Sequence, residues 1–144
     1  MSVKCLPETH PLYQELKLIR KFCLTKSPGF AGIALLPEYK VIDATDEQHG
    51  EQYGFTDGRT IYIGEKFFAE APKAQAYILV HEVLHVALRH PQRGGALYKK
   101  RMMKGLPYSP QVFNWAVDAI VNHGLDRITD WLQRPNLVMA GFND

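Results

Sequence analysis

The chain is short of several features whose presence would settle its class. It has two cysteines in 144 residues; Cys5 and Cys23 form no CxxC pair, and a disulfide scaffold of this length would carry more. No apolar run approaches the ~20 residues that cross a bilayer. The stretch Met1-Ser2-Val3-Lys4-Cys5-Leu6-Pro7 lacks the apolar core of a signal peptide, so a cytoplasmic location is expected. Neither sign of charge dominates: 17 Lys and Arg face 15 Asp and Glu, for a net +2. A pI near 8.5 is too mildly basic to imply nucleic acid by itself. Internal repeats, low-complexity tracts and linkers are missing too. These absences disfavour a membrane protein, a disulfide-stapled secreted domain and a polyanion-coating tail. What is present, 46% hydrophobic and 22% charged residues, is a globular composition. One α+β domain over residues 1–144 is expected, burying roughly two-thirds of its unfolded surface.

Pattern and punctuation place the elements. Leu12, Leu16, Ile19 and Cys23 recur at helical spacing behind Pro11, a first-turn residue, and Ser27-Pro28-Gly29 ends that helix. Ile33-Ala34-Leu35-Leu36 reads as a short buried strand closed by Pro37, and Tyr39 to Ile42 as another, with a polar loop from Asp43 to Gln52. Tyr53 to Thr56 and Thr60 to Ile63 flank Asp57-Gly58-Arg59, the signature of a hairpin. Lys66 to Ala69 fits one helical turn. Pro72 opens a helix to about Arg89 whose interior is apolar on nearly every side, which marks a central, buried element. Pro91 is expected to stop it, with a connection from Gln92 to Tyr108. Ser109-Pro110 is an N-cap followed by a first-turn proline and opens a helix to about Leu125. Asp126 to Asp144 forms a tail with a short helix around Trp131.

Inside the buried helix stands His81-Glu82-Val83-Leu84-His85. Two histidines four residues apart lie about 40° apart around a helix and one turn apart along it, so their rings converge on one ion. Neutral imidazole suits zinc, and Glu82 is placed to reach a water on the ion as general base, the HExxH arrangement. With six His and eight Glu, a chance match arises in roughly one chain in seventy of this composition. The plainer alternative is that both histidines are core residues paired with backbone or water. It would bury three polar side chains among valines and leucines, at several kcal/mol without partners.

The third ligand is sought elsewhere. His90 follows His85 by five residues, pointing about 140° away if the helix continued, and reads as a helix C-terminal residue. The next helix carries Asn114, Asp118 and Asn122 at i, i+4 and i+8 on an otherwise apolar run. A carboxylate in that company is paired or coordinates a metal. Asp118 is therefore the third ligand expected, with Asn122 orienting a histidine and Asn114 a polar residue near the helix start. His123 is offset from the stripe.

The ordered set Thr56-Asp57-Gly58, Ile61-Tyr62, His81 through His90, Arg93 and Asn114 through Asn122 resembles the metallopeptidase domain of bacteria and their phages that often precedes a von Willebrand factor A-like domain. The likeness spans about residues 10 to 125. It implies a zincin-like fold, a small mixed sheet packed on the HExxH helix with a following ligand helix, and zinc-dependent hydrolysis of a peptide or protein substrate. The von Willebrand-like part is absent, as expected of a stand-alone form or a fragment. Asp118 followed by Asn122 is also similar to the gluzincins, where a Glu is followed four residues on by an Asp. The substrate backbone is expected to add to an edge strand, Thr60 to Ile63. Tyr98, Tyr108, His90 and His123 are candidates for stabilising an oxyanion.

One rival reading belongs to another class. Between Glu82 and Asp118 there is no acidic residue, whereas Arg89, Arg93, Lys99, Lys100, Arg101 and Lys104 are cationic. A solvated connection explains this simply; a nucleic-acid or acidic-protein surface is the sharper alternative. A non-catalytic, metal-stabilised binding module would share the metal site but close its open position.

Overall fold

A computed structural model describes residues 2–27, 31–128 and 130–135. Helix α1 (Leu12–Lys26) buries Leu16, Ile19 and Cys23 on one stripe, as the spacing predicts. At its end the Ser27 amide donates to the Cys23 carbonyl, 2.9 Å; Pro28 and Gly29 lie outside the described residues.

The strand expected at Ile33 to Leu36 is not formed. Ala31–Ala34 makes one helical turn, α2, and Leu35 and Leu36 are 70% and 68% exposed. Four apolar residues do not distinguish the two states by period. Here a tertiary contact accompanies the turn: the Tyr39 hydroxyl donates to the Ala34 carbonyl, 2.6 Å.

Three short strands follow: β1 (Glu38–Val41), β2 (Gly54–Thr56) and β3 (Thr60–Ile63). The sheet runs β1-β3-β2, with β1 parallel and β2 antiparallel to β3. Asp57 and Thr56 build the hairpin turn. Asp57 Oδ1 accepts from the amides of Arg59 and Thr60, each 2.9 Å, and Thr56 Oγ1 accepts from the Gly58 amide, 3.0 Å. Gly58 stands at φ 98°, a conformation that favours glycine.

The topology corrects one expectation. Thr60 to Ile63 is the central strand, paired on both sides, and has no edge to offer a substrate. The outer side of β1 is engaged at its last residue, where the Leu6 amide donates to Val41 (2.9 Å) and the Val41 amide to the Tyr13 hydroxyl (3.1 Å). The edge strands of the sheet are β1 and β2.

A 3-10 turn (Glu65–Ala69) leads to α3 (Pro72–Ala87), which starts with Pro72 in its first turn. The described hydrophobic core is gathered around α3. Ala76, Tyr77, Ile78, Leu79, Val80, Val83 and Val86 meet Leu16, Ile19 and Cys23 of α1 and Val41, Ile61 and Ile63 of the sheet. With α1, the sheet and α5 (Pro110–Leu125) all packed on it, a helix apolar on every side is the element such a centre requires.

The segment from Gln92 is also not a connection. α3 ends at Ala87, before Pro91 is reached, and Pro91 instead stands in the first turn of α4 (His90–Met103), a position that suits proline. Arg93, Lys99, Lys100 and Arg101 ride on α4, and Lys104 follows it. In α5, the Ser109 side chain accepts from the Val112 amide, 3.3 Å, as the N-cap. Beyond it, residues 130–135 contain no helix; Leu132 is buried and Trp131 meets Phe22 edge-on. No helix among the described residues is long and apolar enough to cross a membrane.

Candidate metal centre

Toward its C-terminal end the central helix changes character. His81, Glu82 and His85 are 3%, 4% and 7% exposed, within one turn of each other on a helix whose preceding turns bury only apolar side chains and Tyr77. Burial of this kind demands partners, and for the two histidines they come from α4 and α5.

The i, i+4 spacing brings His81 Nε2 to 3.0 Å from His85 Nε2. From α5, Asp118 Oδ1 lies 3.2 Å from the first and 2.6 Å from the second. These three donor atoms lie within 4.8 Å of one another and could hold a metal ion. A tetrahedral zinc with bonds of about 2.0–2.1 Å separates its ligands by roughly 3.3 Å. Two of the three separations fall within a few tenths of an ångström of that figure, and the third, at 2.6 Å, opens to it with a small side-chain movement. Two imidazoles and a carboxylate are also the donor types zinc takes. The residues fit the ion.

The electrostatics run the same way. Burial alone would push the Asp118 carboxyl up; hydrogen bonds from His81 and His85, and their charges when protonated, hold it far below the usual carboxylate range. Burial also works against the charged form of His81, but the Asp118 hydrogen bond, the Glu82 charge and Asn122 outweigh it and raise its pKa. The cluster therefore keeps a carboxylate facing two imidazoles, an arrangement that attracts a cation.

Each histidine has a partner behind it. His81 Nδ1 is 2.7 Å from Asn122 Oδ1, and Asn122 is 1% exposed. His85 Nδ1 is 2.8 Å from His90 Nδ1. His90 is not a helix C-terminal residue as its position before Pro91 implied; it begins α4 and is 6% exposed. Burial, with His85 and Arg93 nearby, lowers its pKa. The joint that returns it is Arg89, at φ 57° and ψ 37°, the one non-glycine residue of positive φ among those described. Left-handed backbone costs about 1–2 kcal/mol for such a residue. The signal available in the sequence was His90-Pro91, readable as a helix start as well as a stop.

Glu82 faces the sheet. A Cβ built on Gly54 of β2 would stand 3.7 Å from Glu82 Cγ, an ordinary contact, and 3.1 Å from the Tyr62 carbonyl oxygen, so β2 lies beside the stem of the Glu82 side chain. The remaining polar candidates disperse. Asn114 and His123 are exposed. The Tyr108 hydroxyl donates to the Gly94 carbonyl at 3.2 Å, and Tyr98 is 44% exposed beside the Tyr108 ring.

No curated protein and no solved structure matches this chain. A family model does, across residues 12–140, a span that includes His81, Glu82, His85, His90, Asp118 and Asn122. The chain therefore belongs to the family described as "putative metallopeptidase domain".

Proposed function

We propose that this is a zinc-dependent peptidase in which His81, His85 and Asp118 hold the ion and Glu82 is the general base. The observation that carries the reading is the convergence of two buried imidazoles and one carboxylate from two helices, at 2.6 to 3.2 Å, in a chain of a metallopeptidase family. A zinc ion there supplies Lewis acidity toward the scissile carbonyl and acidifies a water.

The other parts of the reaction fall to the protein. Glu82, next to His81 in sequence and buried, accepts the proton of the attacking water and delivers it to the departing amine. β2 lies beside Glu82 at Gly54, so a peptide paired in extended form with the outer edge of β2 passes beside the base. His81 and His85 are oriented before substrate arrives, by Asn122 and His90.

The test is a pair of measurements on Glu82→Gln. Zinc content stays at the wild-type level, and hydrolysis of a peptide library falls by about 100-fold or more, the range for losing a general base. Retained hydrolysis in that variant removes Glu82 from the role. Unchanged zinc content in His81→Ala, His85→Ala or Asp118→Ala removes that ligand. A wild-type protein that takes up zinc yet cleaves no peptide leaves a binding module instead.

A further inference from the structure

We propose that His90 is a positioning residue for the metal centre, accepting a hydrogen bond from His85 and so fixing the ring nitrogen that His85 turns toward the ion. This inference rests on the zinc reading above. His85 Nε2 points into the cluster, 3.0 Å from His81 Nε2 and 2.6 Å from Asp118 Oδ1, so the lone pair for a metal belongs on Nε2. A neutral imidazole with a free Nε2 carries its proton on Nδ1. That nitrogen is 2.8 Å from His90 Nδ1, and two ring nitrogens at this distance need one proton between them. His85 therefore donates, His90 accepts, and the His90 proton sits on its own Nε2.

The backbone supports this assignment independently. Continued as α3, residue 90 would point about 140° away from residue 85. Arg89 in the left-handed region breaks the helix at that point and swings His90 back under His85, where both rings are buried and meet edge-on with centroids 5.0 Å apart. Strained backbone persists where the surroundings over-determine it, and it gathers at functional sites. Metal-binding histidines usually rest their second nitrogen on a carboxylate or a carbonyl. Here both supports are neutral side chains, Asn122 Oδ1 and His90 Nδ1, and Asp118 is a charged group within hydrogen-bond distance of both rings.

The experiment uses the whole chain with zinc alone as probe, its affinity read by competition with a chromophoric chelator. His90→Phe, similar in shape but without an acceptor, weakens zinc about 10- to 100-fold, the usual effect of losing such a support. His90→Asn, which returns an acceptor oxygen near the Nδ1 position, recovers binding to within about threefold of wild type on the same scale. Nitrogen-15 imidazole spectra of the zinc-loaded wild type place the His85 proton on Nδ1 and the His90 proton on Nε2. Equal affinity in wild type and His90→Phe, or a His90 ring protonated on Nδ1, overturns the proposal while the zinc site stands. If His90→Phe does not fold, the spectra and His90→Asn decide by themselves. Absence of zinc binding in wild type instead overturns the reading on which the proposal rests.

Discussion

The two halves of α3 answer different physical demands. From Ala74 to Val80 the buried side chains are apolar, with Tyr77 the sole exception. Its hydroxyl finds the Asp126 carboxylate at 2.9 Å, beside Arg134, whose guanidinium also pairs with Asp126. This half gains stability by removing hydrocarbon from water, about 25 cal/mol per Å². From His81 to His85 the same helix buries three ionisable groups, each of which costs free energy unless it is matched. One element thus carries a stabilising stretch and a demanding one in series. The first can hold the second in place because it is clamped by α1 and the sheet.

This contrast can be broken from either side. The largest effect is expected in the apolar half: Leu79→Ala, at a fully buried position, loses about 2–5 kcal/mol of unfolding free energy, while the zinc affinity of the folded fraction keeps its wild-type value. Chemical denaturation beside a chelator competition measures both, and a joint loss would show that the two halves are not separable. Next comes Asn122→Ala in the polar half. It leaves the His81 Nδ1 proton without its acceptor and should weaken zinc about 10- to 100-fold, or roughly 1.4–2.7 kcal/mol. Wild-type affinity in that variant would mean that the 2.7 Å contact does not orient the ring. The smallest effect concerns Cys23, buried on the α1 stripe that meets α3. Burial pushes its thiol up to about 12, so a thiol reagent at neutral pH modifies half-exposed Cys5 and spares Cys23 until the core opens. Stripping the metal with a chelator leaves the Cys23 rate unchanged if the apolar half stands alone; an accelerated rate would tie the two ends together.

Sequence reasoning reached as far as local rules and one-dimensional spacing extend. Asp57-Gly58 and Ser109-Pro110 each sat where their turn or cap chemistry put them, because that chemistry closes within four residues. That His81, Glu82 and His85 share one buried stretch of helix followed from the helical period, and that Asp118 comes to lie beside the two histidines followed from its being a carboxylate on an apolar helix. Three features were not legible. Ile33 to Leu36 carried no period long enough to separate helix from strand. The place of β3 depends on its parallel partner β1, some twenty residues earlier, a pairing that no turn signal encodes. At His90-Pro91, the stop for one helix and the start of another look alike, and only the unusual backbone of Arg89 distinguishes them.

The β2 edge of the sheet is three residues long. A guest lying along Gly54–Thr56 gains only a few main-chain hydrogen bonds, each contributing about 0.5–1.5 kcal/mol net, which corresponds to a fleeting complex unless side chains grip elsewhere. So short a ledge also offers another copy of the chain little to zip onto. Under the proposed peptidase function, brief residence would let cleaved fragments depart quickly, and discrimination among sequences would fall to whatever surfaces flank the ledge.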